Sequence, residues 1–153
     1  MRKIILYSLL LVAALLFPVR GTDVGKLLPV ELLQLYKEEE MLVITSDAGA
    51  AGVGTTVEEA IGNMKATANG NVYLDTADFL LVCGLTPEEV VILKEYLKPT
   101  IRVCSVDAPT DPQKAAEFLR IHKPQQRLKE WTGENHTQIL FEESGRFILK
   151  ETW

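Results

Sequence analysis

The chain has few of the residues that build reactive or metal-binding sites. Its 153 residues include only two cysteines, two histidines and two tryptophans. The cysteines do not form a CxxC pair, and neither histidine has a cysteine or carboxylate partner at ligand spacing. No serine stands in the Gly-x-Ser-x-Gly turn of a hydrolase. The sequence therefore predicts no metal and no cofactor, and gives no support to a catalytic triad.

Acidic residues outnumber basic ones outside the first 21 residues. Those residues hold three basic side chains, Arg2, Lys3 and Arg20, and no acidic one. The rest of the chain has 13 basic and 21 acidic residues, a net charge of −8. Nucleic-acid-binding proteins depend on a basic surface, and anionic membranes attract basic segments. The charge balance argues against both kinds of partner for this part of the chain.

No apolar run reaches the roughly 20 residues that a membrane-spanning helix needs. The longest run, residues 4–17, follows two basic residues and has 14 members. Val19 and Gly21 stand where a signal peptidase reads small residues. The pattern predicts a signal peptide over residues 1–21, cleaved after Gly21. The alternative is an uncleaved anchor that holds the protein at the outer face of the cytoplasmic membrane through residues 4–17.

Residues 22–28 are expected to form a tether, and residues 29–153 a single domain. Helices are predicted to begin at Thr56, Pro87 and Asp111, the first two within Thr-x-x-Glu capping boxes. Residues 48–54 are predicted to be a Gly/Ala-rich loop, and residues 30–37 fit either a strand or a helix. Other strands are predicted at 41–47, 72–74, 79–83, 101–106, 138–142 and 146–150. Strands that alternate with helices predict an α/β fold with a mixed, mostly parallel sheet, three helices and antiparallel hairpins at the margins.

The glycine-rich segment supplies weak candidates for ligand binding, namely Gly52, Gly54 and Thr55. They precede a helix N-terminus, where backbone N–H groups favour an anion. However, the spacing matches neither phosphate-binding glycine motif, and no lysine follows. A turn that leads into a capped helix is the simpler interpretation.

Asp75 and Asp78 are further weak candidates, three residues apart before a predicted strand. A turn whose carboxylates accept local backbone hydrogen bonds is the favoured interpretation. The alternative is a small enzyme with a site at the strand ends near Asp75, Asp78 and Cys83, since crossover folds bind ligands at strand ends.

Cys83 and Cys104 are expected near the ends of adjacent strands. A disulfide between them, and with it a thiol-redox or disulfide-stabilised protein, is one interpretation. Buried free thiols are favoured, because adjacent parallel strands rarely offer disulfide geometry and both residues lie in apolar runs. Trp131 is a possible interface residue, although a position covering the edge of the core is favoured.

Part of the chain resembles a known family. Over about residues 40–120 it is similar to the N-terminal domain of the C-subunit lipoproteins of spore-germination receptors, the Ger(x)C family. The similar segments are Gly54-Thr55-Thr56-Val-Glu-Glu-Ala60-Ile, Val72-Tyr-Leu74, Phe79-Leu-Leu-Val-Cys-Gly84-Leu, a helix with Tyr96-Leu97, and Ile101-Arg102-Val103. The family carries a lipobox cysteine that this chain lacks. The resemblance implies an extracytoplasmic, non-enzymatic domain of an endospore-forming organism that works by protein contact, and no functional residue carries over.

These observations predict an exported, non-catalytic α/β domain. Its expected partner is another envelope or sporulation protein, or a small ligand. The sheet edge, residues 48–54 and the region of Trp131 are the surfaces expected to make the contact.

Overall fold

The computed structural model describes residues 24–132 and 138–151. The predicted leader, residues 1–21, and Trp153 lie outside these ranges. The strands are β1 (Leu27–Pro29), β2 (Leu32–Glu38), β3 (Met41–Ser46), β4 (Ala51–Gly54), β5 (Asn71–Tyr73), β6 (Phe79–Cys83), β7 (Arg102–Val106), β8 (Ile139–Glu143) and β9 (Arg146–Lys150). The helices are α1 (Val57–Thr67), α2 (Pro87–Tyr96) and α3 (Pro112–Ile121). None of these helices has the length and apolar character required to span a bilayer.

Seven strands form one sheet in the order β4-β3-β2-β6-β7-β8-β9. The pairs β2–β6, β6–β7 and β7–β8 are parallel, and β2–β3, β3–β4 and β8–β9 are antiparallel. The predicted mixed α/β fold with hairpins at its margins is confirmed. The expectation of a mostly parallel sheet is wrong, because short turns on both flanks force antiparallel pairing while only the longer crossovers return in parallel. β1 and β5 form a separate parallel pair.

The helices cover both faces of the sheet. α1 and α2 pack on one face, where their side chains join Leu33, Leu35 and Leu80 in the larger core cluster. α3 packs on the other face, against a smaller cluster that includes Leu81 and Cys104. Coverage on both sides explains why β6 is a continuous apolar run and why the first four residues of β2 are all buried, with no solvent-facing alternation.

Local capping fixes where the helices begin. Thr86 starts α2 with a complete capping box, in which its hydroxyl accepts from Glu89 N–H and Glu89 Oε2 accepts from Thr86 N–H at 2.7 Å. Asp111 caps α3 through the N–H groups of Gln113 and Lys114. These predicted starts are confirmed.

The structure corrects the predictions for two segments and decides between the two alternatives for a third. The predicted loop over 48–54 is wrong in part, since its second half is strand β4. Part of the predicted tether lies in the fold, because β1 begins at Leu27 and pairs with β5. Residues 30–37 fit either a strand or a helix by sequence. All but the first two of them belong to β2, and the pairing of β2 with both β3 and β6 shows that the segment is a strand.

Candidate functional site

One edge of the sheet, β4, is closed by helix α1. The Val53 carbonyl accepts a hydrogen bond of 2.7 Å from Asn63 Nδ2, and the Ala51 carbonyl accepts one of 3.0 Å from Thr67 Oγ1. These two carbonyls are two residues apart and therefore point to the same side of the strand. The side chains of α1 thus occupy acceptors that another strand would need.

The glycine candidates serve this packing. A Cβ at Gly52 would overlap the Ala60 carbonyl oxygen and lie 2.8 Å from the Cα of Met64, and one at Gly54 would lie 2.7 Å from the Cβ of Glu59. The two glycines let α1 lie directly on β4. Their backbone is therefore covered by the helix and does not face a ligand.

Thr55, the third of these candidates, is engaged by Glu59. Glu59 Oε2 accepts from both the N–H and the hydroxyl of Thr55, each at 2.8 Å. The backbone hydrogen bond from Thr55, followed by the one from its side chain, lowers the pKa of the Glu59 carboxyl. The Glu59 carboxylate therefore occupies the position at the start of α1 where the sequence suggested that an anionic ligand could bind.

The opposite edge of the sheet is the β8–β9 hairpin. Its turn residues Ser144 and Gly145 both have positive φ, 53° and 75°, which is the signature of a type I′ turn. Five residue pairs follow without a bulge, from Glu143 opposite Arg146 to Ile139 opposite Lys150. The prediction of a terminal hairpin is confirmed.

The outer side of β9, residues 146–150, is named the β9 edge here. In a two-residue hairpin the pair that closes the turn is hydrogen-bonded, and bonded pairs then alternate along the ladder. Arg146, Ile148 and Lys150 therefore bond to β8, whereas Phe147 and Leu149 direct their N–H and C=O groups away from the sheet. No side chain among residues 24–132 and 138–151 hydrogen-bonds to these groups in the way that α1 does at β4.

The side chains of β9 are half-buried on both faces. Phe147 and Leu149 pack against the smaller core cluster, with the Phe147 ring 5.8 Å from that of Phe118 on α3. Ile148 lies on the other face opposite Phe141. Arg146 and Lys150 are exposed at the two ends of the strand. The β9 edge is thus an apolar centre of three residues between two cations.

A cleft of about 490 Å³ lies beside the hairpin, between the loop after β7 and the tip of β8–β9. Asp107, Pro109, Thr110, Phe141 and Glu142 contribute to its walls. It stands next to the carboxyl end of β7, where ligand sites of crossover folds are found. Its charged side chains are acidic.

Sequence reasoning missed the contact that shapes this cleft. Gln34, buried in β2 with 1% exposure, accepts from the N–H and the hydroxyl of Thr110 at 3.1 and 3.0 Å. The two residues are 76 positions apart, so no local pattern connects them. A glutamine between the leucines of β2 was the one available signal.

The structure does not bring Asp75, Asp78 and Cys83 together. Asp75 lies exposed in a 3-10 turn, and Asp78 precedes β6 and pairs with Lys98 at 2.7 Å. Cys83 is the last residue of β6. Cys83 follows Asp78 by five positions of extended chain, roughly 16 Å at the usual rise per residue. The aspartates and the thiol are therefore at opposite ends of the sheet and cannot share one active site.

Both cysteines are free thiols. Cys104 is buried opposite Leu81, and this burial raises its pKa to about 12. Cys83 is half-buried, and burial followed by the charge of Asp107 raises the pKa of its thiol. Raised pKa values disfavour the thiolate that a redox cysteine requires. Among the described residues, no three metal-ligating side chains converge.

Trp131 belongs to the core. Its side chain is 3% exposed and joins the larger cluster. This burial agrees with the favoured interpretation that Trp131 covers part of the core, and it leaves almost no ring surface for contact with a partner.

Comparison of the chain with protein-family models, with curated protein sequences and with solved structures gave no match.

Proposed function

We propose that this chain is an exported, non-catalytic α/β domain that binds another protein at the extracytoplasmic face. The observation that carries the proposal is the contrast between the two sheet edges. At β4 the outer carbonyls accept hydrogen bonds from Asn63 and Thr67. At the β9 edge three half-buried apolar residues lie beside backbone groups that lack such partners among the described residues. Edge strands left in this state are pairing sites for another chain.

Sequence features supply the setting. The basic and apolar leader, with Val19 and Gly21 at the cleavage positions, supports export. The resemblance to the germination-receptor domain supports an extracytoplasmic partner in an endospore-forming organism. The net charge of −8 after Gly21 supports a protein partner rather than nucleic acid.

Photo-crosslinking in cells of the source organism tests the proposal. A photoreactive amino acid replaces Ile148 in the full chain, and in a matched control it replaces Gly62 on the exposed side of α1. Gly62 is exposed, and a Cβ built there would contact no other element within 4 Å, so a side chain at this position projects into solvent. We expect a defined protein adduct from position 148 and none from position 62. Equal adducts from both positions, or none from position 148, would contradict the proposal.

The cleft beside the hairpin favours a second candidate, the binding of a small cationic ligand. Asp107 and Glu142 give its walls negative charge, and the Gln34–Thr110 contact holds its loop in place. The test is a thermal-shift screen of polyamines and basic amino acids against the wild type and Glu142→Gln. A rise in Tm that the substitution abolishes supports this candidate, and no rise removes it.

A further inference from the structure

The geometry points to the chemistry of the partner: the β9 edge accepts an extended strand with an acidic residue at each end and β-branched or apolar residues between them. This inference rests on the proposed function, since it names which protein segment the edge binds. Two steps carry it, one from the backbone and one from the charges.

An added strand would meet backbone N–H and C=O groups along the outer side of β9 that lack partners among the described residues. Phe147 and Leu149 present outward N–H and C=O groups, two donors and two acceptors along one side of β9. An extended chain placed there continues the ladder at the usual strand spacing. The free surfaces of Phe147 and Leu149 on one face, and of Ile148 on the other, then receive the alternating side chains of the added strand.

The charges of β9 argue against a second copy of this chain paired with it through a twofold axis. Two β9 strands related by a twofold axis must run antiparallel. The register that pairs all five residues places Ile148 opposite its own copy and Arg146 opposite Lys150 of the other chain. Like charges directly opposite each other destabilise a strand pair. The two cations therefore disfavour self-pairing while leaving the edge open to a strand of opposite charge.

The same charges select the partner. Residues opposite Arg146 and Lys150 lie on the same face as these side chains and within direct reach of them. Acidic residues at both positions would form two cross-strand pairs. Because the charges are symmetric about Ile148, a parallel and an antiparallel strand satisfy them equally. Salt should weaken this binding, since the ion pairs are exposed.

The test uses the full chain, isotope-labelled for NMR, and two synthetic peptides, acetyl-SEVTVES-amide and acetyl-SKVTVKS-amide. We expect the acidic peptide to bind at least about tenfold more tightly than the basic one, on the basis of two cross-strand charge pairs. We also expect it to slow amide exchange at Phe147 and Leu149, whose N–H groups point outward, more than at Ile148, whose N–H already bonds to β8.

Charge-reversed and neutral variants make the test specific. Arg146→Glu/Lys150→Glu should reverse the preference between the peptides. Arg146→Gln/Lys150→Gln should abolish the preference between the peptides. This neutral variant is needed because a glutamate at position 146, directly opposite Glu143, could disturb the hairpin. The matched control is Lys26→Glu/Lys65→Glu, which changes the net charge equally at exposed sites before β1 and on α1 and should leave the preference unchanged.

The outcomes separate this inference from the proposed function. No preference between the peptides, or protection at amides other than Phe147 and Leu149, overturns the acidic-strand inference. If position 148 still yields a defined crosslinked protein in that case, the proposed function stands with a partner of different chemistry. If the crosslink also fails, both are overturned.

Discussion

Gly52 lies beneath helix α1 at a point where the backbone of the helix leaves no room for a side chain. The nearest atoms belong to Ala60 and Met64, and they are backbone atoms of a packed helix that cannot rotate away. The chain therefore needs glycine at this position for the approach of α1 to β4. Gly62, on the exposed side of the same helix, has no such neighbour.

We expect Gly52→Ala to lower the free energy of unfolding by about 3 kcal/mol, because the added methyl group forces α1 away from the sheet. Gly62→Ala is the matched control and should raise it by about 0.5 kcal/mol, since alanine favours the helix. Urea unfolding of the two variants measures both changes. Equal stabilities would show that α1 adjusts to the methyl group without cost.

The raised pKa values of the thiols predict slow alkylation. Near pH 8 an ordinary thiol is partly ionised, whereas Cys104, with a pKa of about 12, is almost entirely protonated. In the native protein we expect iodoacetamide to label Cys104 at least about a hundredfold more slowly than in urea, because the thiolate is the reactive form. Peptide mass mapping follows each site. Finding no free thiol in urea without reductant would instead indicate the disulfide between Cys83 and Cys104.

At the scale of the element, α2 depends on one carboxylate at its first turn. Burial alone would raise the pKa of the Glu89 carboxyl. Hydrogen bonds from Thr86 and the contact with Lys37 at 3.0 Å lower the pKa by more than burial raises it, so the net shift is downward. A lowered pKa means that the folded state favours the ionised form. The resulting stability is present above the pKa of the unfolded chain, near 4.3, and is lost as the pH falls through the lower folded value.

Glu89→Gln should therefore cost about 1 kcal/mol at pH 7 and progressively less below pH 4. Urea unfolding at several pH values between about 3 and 7, on both sides of the ordinary glutamate pKa, measures the free energy of unfolding of the wild type and the variant. Glu88→Gln removes the same charge from the exposed neighbouring position and serves as the control. A cost that stays constant with pH would contradict the role assigned to the Glu89 carboxylate.

The elements differ in how far local sequence predicts them. β6 was predicted over its full length because five consecutive apolar residues leave no solvent face. The start of α2 was predicted because Thr86, Pro87 and Glu89 specify it within four residues. β4 was not predicted, since a short segment with two glycines has little intrinsic strand preference. It is a strand because β3 pairs with it on one side and α1 packs over it.

At the scale of the whole molecule, the predicted signal peptide over residues 1–21 implies a mature chain that begins at Thr22. We expect the exported protein to have the intact mass of residues 22–153, because a signal peptidase that reads Val19 and Gly21 cuts after Gly21. Mass spectrometry of the extracellular fraction measures this directly. Gly21→Arg places a bulky charge at the cleavage position and should leave the full-length chain in the membrane fraction. A wild-type chain of full length in that fraction would favour the uncleaved anchor.

Which elements lie beside each edge of the sheet is also a property of the whole molecule. One edge is closed by a helix that follows it directly in sequence, and the other ends in a hairpin whose last strand has no strand on its outer side among the described residues. Gln34 links the centre of the sheet to the loop beside that hairpin. The cleft is lined in part by the same hairpin whose outer strand forms the β9 edge, and the Gln34–Thr110 contact holds its loop across 76 positions of sequence.

The sequence by itself determined the basic and apolar pattern of residues 1–21, the acidic balance of the residues after them, the starts of the three helices and the terminal hairpin. Each of these depends on composition or on residues within a few positions of one another. Tertiary structure alone decided that β4 is a strand, that Asp78 and Cys83 lie at opposite ends of the sheet, and that Trp131 is buried. It also decided which sheet edge is closed, because Asn63 and Thr67 reach β4 only once α1 has packed on Gly52 and Gly54.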